Sequence, residues 1–279
     1  MTGFLQLKRS FSKEILMFRR QYFILFIFLI PCQNIRCQDT INLVKSHLLS
    51  LNIGNQKLKE EILLPKVHSG FYTGFSYLFE RTGKNYYSID FAVSYNHLKT
   101  KLETEKVTQT GQVSMKYSWG YNLLKNNLSN IHFGITAWYY WSIEEFPVWD
   151  ESRAYWGTSL SSGPFARFLF NLDNHSVWIT SINSSLLGFL SRPDYLRIYA
   201  QEEWTLSNII KITNCHFGFA FPDNILITSI KTEYRMPVGL KGKYFWSVSG
   251  EFLYSGVAGD NSYPLRSSRF TIGIGLGFN

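Results

Sequence analysis

The chain has 279 residues, with 28 Lys and Arg against 20 Asp and Glu, for a formal net charge of +8. The excess sits at one end, because residues 1–37 hold six of the basic and one of the acidic side chains and leave the remainder at only +3. Such a balance is no sign of nucleic-acid binding, which needs a basic patch on one face. Of the three cysteines, Cys32 and Cys37 fall in the same leader, so Cys215 stands alone afterwards and no internal disulfide is expected there.

In that leader, Arg19 and Arg20 precede the apolar run Tyr22 to Ile30, which Pro31 ends. This is the order of regions in a secretory signal peptide. The run is far short of the roughly 20 apolar residues that a membrane-spanning helix requires. A cut between Cys37 and Gln38 is expected, giving a signal peptide at 1–37 and a mature domain at 38–279. Met17 offers an alternative start, since Phe18-Arg19-Arg20-Gln21 makes a compact basic region ahead of the run. Acylation at Cys32 or Cys37 is disfavoured, because Pro31 and Arg36 stand where a lipoprotein signal has a small residue.

Aromatic residues make up 17% of the chain, including 17 Tyr and 8 Trp, beside only 17% charged residues. Membrane barrels need aromatic girdles at both interfaces, and this bias suits them better than a soluble sandwich.

The first predicted strands, 46–54 and 69–80, alternate irregularly. Three clearer ones follow. Tyr87, Ile89, Phe91, Val93 and Tyr95 alternate with Ser88, Asp90, Ala92 and Ser94; Val113, Met115, Tyr117, Trp119, Tyr121 and Leu123 alternate with the small or polar residues of 112–122. Ile131, Phe133, Ile135, Ala137 and Tyr139 repeat the pattern. Successive side chains of a strand point to opposite faces, so each has an apolar side opposite a polar or small one, the lipid-out, lumen-in signature. Further strands are predicted at 155–170, 176–188, 225–237 and 243–255. Pro164 and Pro237 remove ladder donors and are expected at a strand end, a bulge or a rim.

The last strand is the most regular, with Phe270, Ile272, Ile274, Leu276 and Phe278 on one face and Thr271, Gly273, Gly275 and Gly277 on the other. It resembles the C-terminal recognition strand of the outer-membrane β-barrels of Gram-negative bacteria, with Asn279 displacing the terminal aromatic by one position. The resemblance extends over the mature chain as architecture and is similar to many small barrels of unassigned function. It implies an outer-membrane location, contact with membrane lipids and lipopolysaccharide, and handling by the barrel-assembly machinery through this strand.

Connection lengths agree with that architecture, since such barrels have short periplasmic turns and longer outer loops. Short links fall at 81–84, 125–130, 171–175 and 238–242; long ones fall at 56–68, 98–110, 144–154, 190–224 and 256–267. The expected fold is therefore all-β, an antiparallel up-and-down transmembrane barrel of ten strands. Twelve is the alternative, because Ile209 to Phe221 could form a further hairpin. The 190–224 segment could equally fold inward as a plug or outward as a lid.

On this register Asp90, Lys116, Arg167, Lys231, Glu233, Arg235 and Glu251 point into the lumen. Paired, they would form a polar network that stiffens the barrel. Were the four cations at one height, they would suggest an anion path. Catalysis needs a base beside a nucleophile, and His97 at the outer end of a strand, His68 beside Ser69 in an outer loop, and Glu144, Glu145 and Asp150 in the next outer loop are the candidates for a rim-active lipid hydrolase. Their spacing matches no phospholipase or deacylase motif. Nothing in the spacing of His, Cys or acidic residues suggests a metal site, and no cofactor is expected. Lys57, Lys59, Lys66, Lys99, Lys101 and Lys106 fall in the first two outer loops and could meet lipopolysaccharide phosphates, although Glu60, Glu61, Glu103 and Glu105 are interleaved with them.

Overall fold

The computed structural model describes residues 44–60, 67–99, 108–126, 128–145, 154–172, 175–192, 206–213, 217–238, 243–258 and 265–279. The predicted leader and cleavage site lie outside these residues. The strands are β1 (Val44–Glu60), β2 (His68–Thr82), β3 (Asn85–Lys99), β4 (Thr108–Lys125), β5 (Ser129–Glu145), β6 (Ala154–Asn171), β7 (Val177–Ser185), β8 (Leu187–Ser191), β9 (Gly218–Ala220), β10 (Ile225–Val238), β11 (Tyr244–Val257) and β12 (Leu265–Phe278). One helix, α1 (Leu206–Thr213), lies between β8 and β9.

Ten of the strands close a ring in which neighbours are antiparallel, in the order β1 to β7 followed by β10, β11, β12 and β1 again. Closure is made by β12 on β1, from His47 opposite Phe278 to Glu60 opposite Leu265. A sheet inside hydrocarbon must close in this way, because an open edge would leave a row of backbone donors and acceptors without partners. The stagger follows from the pairings. A path from Val44 through Thr82, Tyr86, Gly120, Gly134, Phe165, Asn183, Ser229, Leu253 and Arg269 returns to β1 at Gln56, twelve residues further along. That shear tilts the strands by about 40°, within the usual range for closed barrels.

The wall has two faces. An unbroken outward row of lateral partners runs from Leu276 through Leu49, Tyr77, Phe91, Met115, Tyr139, Leu160 and Phe189 to Phe219. The span from Phe270 to Phe278 rises roughly 20 Å at that tilt and about 3.4 Å per residue, most of the roughly 25 Å of an apolar membrane band. Exposed Tyr121, Phe170, Trp178, Tyr244 and Trp246 mark the end that carries the start of β1, termed proximal here; Phe71, Tyr95 and Phe270 mark the distal end. Two pairs of outward hydroxyls bond each other, Ser184 with Thr228 at 3.0 Å and Thr180 with Thr232 at 3.4 Å. The Gly face of β12 lies against crowded lumen side chains, and a methyl group at Gly277 would overlap the Phe245 ring.

The 176–188 stretch departs from a single strand. The β6–β7 pairing ends at Phe165 opposite Asn183, and β6 resumes one residue out of register at Ser162 opposite Leu187. This bulge turns the odd-numbered inward residues of β7 into even-numbered ones in β8. Pro164 sits opposite the bulge, where a ladder donor is not needed, and Pro237 is the penultimate residue of β10.

Ile209 to Phe221 is not a hairpin. Its described residues supply the end of α1 and β9, and β9 pairs with β8 to extend the β7–β10 hairpin distally, outside the ring. The strands also run further than their alternation suggests, because lateral hydrogen bonding does not stop where hydrophobicity does. Lys57, Lys59 and Lys99 therefore lie within β1 and β3, and His68, Glu144 and Glu145 within β2 and β5, not in loops. Lys66, Lys101, Lys106 and Asp150 lie outside the described residues.

An Arg at Ile274, 58% exposed in mid-band on β12, is expected to cost about 2–4 kcal/mol, against about 0–1 kcal/mol for an Arg at the interfacial Phe278. Urea titration of the protein folded into phosphatidylcholine vesicles measures the difference, and equal costs would show that Ile274 does not face hydrocarbon.

Candidate functional site: the barrel lumen

Inward parity is fixed strand by strand, since Asp90 is opposite Lys116 and the row Arg167, Ser181, Lys231, Glu251 crosses four consecutive strands of the ring. Glu233 and Arg235 follow Lys231 at alternate positions on β10. All seven lumen candidates are thus on the inward register, joined by Glu80 and Arg269, which the sequence reading did not include.

Glu80 is the centre of the proximal cluster. Its Oε1 accepts from Tyr86 Oη at 2.8 Å and Arg167 Nη2 at 3.3 Å; its Oε2 accepts from Arg235 Nη1 at 2.6 Å and Ser46 Oγ at 3.3 Å. Four donors occupy the two oxygens and leave little room for a substrate group. Arg235 Nε also donates to Glu233 Oε1, which accepts from Ser247 Oγ at 3.0 Å, and Lys231 Nζ lies 3.8 Å from Glu233 Oε2. The guanidiniums are clamped by rings, Arg167 at 4.6 Å from the Tyr86 centroid and Arg235 at 5.2 Å from that of Phe245. Such contacts matter because a buried charge is tolerated only when it is paired and hydrogen-bonded.

Above this cluster Lys116 pairs with Asp90 at 3.4 Å and stands 5.0 Å from the Trp138 ring. Arg269 lies 3.7 Å from Glu251, donates to Gln112 Oε1 at 3.2 Å and covers Tyr72 at 4.3 Å. A neutral chain continues distally, as Asn96 Nδ2 donates to Gln56 Oε1 at 2.7 Å and Gln56 Nε2 to Ser267 Oγ at 3.0 Å. Each of Lys116, Arg167, Lys231 and Arg235 has a carboxylate partner, so the cations form no ring of one sign. A cavity of about 30 Å³ between Glu80, Asp90, Lys116, Arg167, Lys231 and Glu233 has room for roughly two waters.

The distal layer is of another kind. Leu58, Leu98, Ile225, Ile227, Val257 and Leu265 point inward and are buried to 4% exposure or less, packed with Trp138, Tyr140, Leu190, Ala220 and Leu253. An apolar constriction resists the passage of hydrated ions, which would have to shed their water. Nothing in the sequence reading singled out this layer, although Leu58, Leu98, Val257 and Leu265 follow the inward parity into stretches that read as loops.

Glu80 and Arg269 were hidden for different reasons. The run Tyr77, Leu78, Phe79 breaks the visible alternation just before Glu80, and counting in twos from Ser76 would have found it. Arg269 directly precedes the predicted start at Phe270, whereas β12 begins at Leu265. Of the rim candidates, His97 faces outward, with its ring 4.9 Å from that of Tyr95, whereas His68 and Glu144 are inward and buried.

The sequence matches no family model and no curated protein. Among solved structures, the fold is similar to that of the outer membrane protease OmpT from Escherichia coli, with TM-score 0.52 and 9% identity over 86% of this chain and 99% of that one. The translocator domain of the autotransporter NalP from Neisseria meningitidis matches with TM-score 0.39 and 9% identity over 97% of each chain. Neisserial surface protein A matches with TM-score 0.31 and 9% identity over 83% of this chain and 96% of that one. The ring closure together with the likeness to OmpT shows a closed ten-stranded β-barrel fold of the outer-membrane kind. At these identities the likeness concerns fold and not chemistry.

Glu80→Ala would leave Arg167 and Arg235 buried without their shared acceptor and is expected to cost roughly 3–5 kcal/mol, whereas Glu251→Gln, at a side chain 21% exposed, should cost distinctly less. Unfolding midpoints in urea, with heat-modifiable gel migration to verify folding, rank the two; the opposite order would remove Glu80 from the centre of the network.

Proposed function

We propose that this protein is exported by the signal peptide at residues 1–37, inserted in the outer membrane as the 38–279 barrel, and serves there as a closed structural or binding barrel. The supporting observation is the filled lumen. Paired charges and, toward the distal mouth, a buried apolar layer fill the described part of the lumen, which favours a closed barrel over an open channel. Whatever the barrel contacts, it meets at its surfaces.

Two surfaces carry that reading. β12 pairs along its length with β1 and exposes alternating apolar residues outward, the form in which a C-terminal strand can be received by the assembly machinery. At the distal end, Lys57 and Lys99 are exposed beyond the apolar band, the height at which lipopolysaccharide phosphates lie, and with Lys59 they would offer those anions a basic contact; Lys66, Lys101 and Lys106 follow in the adjoining sequence. A rim-active lipid hydrolase is less well supported, because His68 and His97 lie on opposite faces of the wall.

In planar bilayers the purified protein is expected to give no steady conductance, and lipid A and phospholipid are expected to stay intact on incubation. Regular single-channel steps would replace the closed-barrel reading by a pore, and released fatty acid would replace it by the hydrolase. Binding to lipopolysaccharide should weaken as salt is raised and should fall again when Lys57, Lys59 and Lys99 are changed to Gln; binding insensitive to both would remove the phosphate contact.

A further inference from the structure

Two pieces of the chain lie outside the ten-stranded ring at its distal end: the β8–β9 pair, which extends the wall edgewise from β6, and α1, which is fastened to its outer face. Trp141 and Thr158 are lateral partners on β5 and β6 and face outward. Trp141 Nε1 donates to Thr213 Oγ1 at 2.9 Å, and Thr158 Oγ1 donates to the Thr213 carbonyl oxygen at 2.6 Å. The last carbonyls of a helix have no partner within it, so Thr158 caps α1 and holds its C-terminal end against the barrel. Trp156 and Ser191, also on the outward register, are buried at 4% and 1% exposure. The helix is therefore neither a plug in the lumen nor a lid across its mouth.

Beside it, the β8–β9 hairpin turns a run of aromatic rings outward. Phe189 and Phe219 meet edge to face at 5.5 Å, and Phe219 and Phe221 at 4.8 Å. Phe189, Phe219 and Phe221 are 46%, 53% and 54% exposed, and Ile210 of α1 is 53% exposed. No charged side chain is interleaved in β8 or β9, whose sequences are Leu-Gly-Phe-Leu-Ser and Gly-Phe-Ala. The patch also continues a surface already assigned, since Phe189 and Phe219 are the final members of the outward apolar row that begins at Leu276. That row climbs steadily because the strands are tilted, so it leaves mid-band at Met115 and reaches the distal girdle at Phe189.

We infer that the β8–β9 hairpin and α1 form an interfacial anchor that lies in the distal leaflet, its aromatic rings and Ile210 at the boundary between headgroups and acyl chains. The occupant of the patch is lipid. Large aromatic rings favour that depth, and a short amphipathic helix gains by burying one side there. A local collar of this kind would hold one flank of the distal rim in the membrane. The inference rests on the membrane-barrel reading.

The two can be tested separately. In a Cys215→Ser background, Phe219→Cys, Ile210→Cys, Ile274→Cys and Lys84→Cys are each labelled with a small fluorophore and the full barrel is folded into phosphatidylcholine vesicles. The vesicles carry bromine either near the headgroup or at mid-chain. Labels at Phe219 and Ile210 are expected to lose as much fluorescence to bromine near the headgroup as the Ile274 label loses to mid-chain bromine, with the Lys84 label in the proximal turn quenched only by aqueous iodide. Phe219 and Ile210 labels quenched by iodide alone would overturn the anchor while leaving the barrel intact. Protection from both quenchers that is lost on dilution would overturn it in favour of a second copy of the chain. An Ile274 label insensitive to bromine would overturn the membrane reading itself. Thr158→Val, which removes the helix cap but lies outside the lumen, should shift the Ile210 label toward iodide and leave the Phe219 label unchanged.

Discussion

Closure of β12 on β1 is the constraint on which the rest of this structure depends. Hydrocarbon offers no hydrogen-bond partner to an open strand edge, so a sheet in a membrane must return to itself. Once the ring has ten strands and a stagger of twelve residues, the tilt is set, and with it the height reached by every side chain. The outward row that starts near the proximal girdle on β12 and ends at the distal rim on β9 is a direct product of that tilt.

Closure also creates an interior that has to be filled. This chain fills its lumen in two ways that do not mix. Near the proximal end it uses paired charges, some joined within one strand or between neighbours and others across the ring: Lys231 and Arg235 meet Glu233 on β10, whereas Glu80 on β2 gathers Arg167 from β6 and Arg235 from β10. Toward the distal mouth it uses Leu, Ile and Val, which need no partner but exclude water. The charged part specifies which strands face one another across the lumen, because a wrong arrangement would strand a buried ion. The apolar part fills the distal lumen.

The distal flank shows the same economy of polar groups on the other side of the wall. A one-residue bulge opposite Pro164 lets β8 continue with inverted parity, which turns Phe189 outward and Leu190 inward. Without that shift, Leu190 would face outward and the apolar distal layer of the lumen would lose a member. The bulge therefore links the filling of the distal lumen to the aromatic surface outside it.

Much of this was legible in the sequence. Alternation with a period of two gives strands, and apolar residues opposite small or polar ones give a wall with lipid on one side and a filled lumen on the other. The regular face from Phe270 to Phe278 located the closing strand, and the alternation of short and long links gave ten strands. Parity also put Asp90, Lys116, Arg167, Lys231, Glu233, Arg235 and Glu251 on one face, since parity is a local property. Only the tertiary structure decided who meets whom. The pairing of Glu80 with Arg167 and Arg235 depends on register across the ring, which no single strand encodes. The bulge at Leu186 depends on where β6 changes partner, and the seat of α1 on the outer wall depends on Trp141 and Thr158 being neighbours on different strands. Those are long-range relations, fixed when the sheet closes.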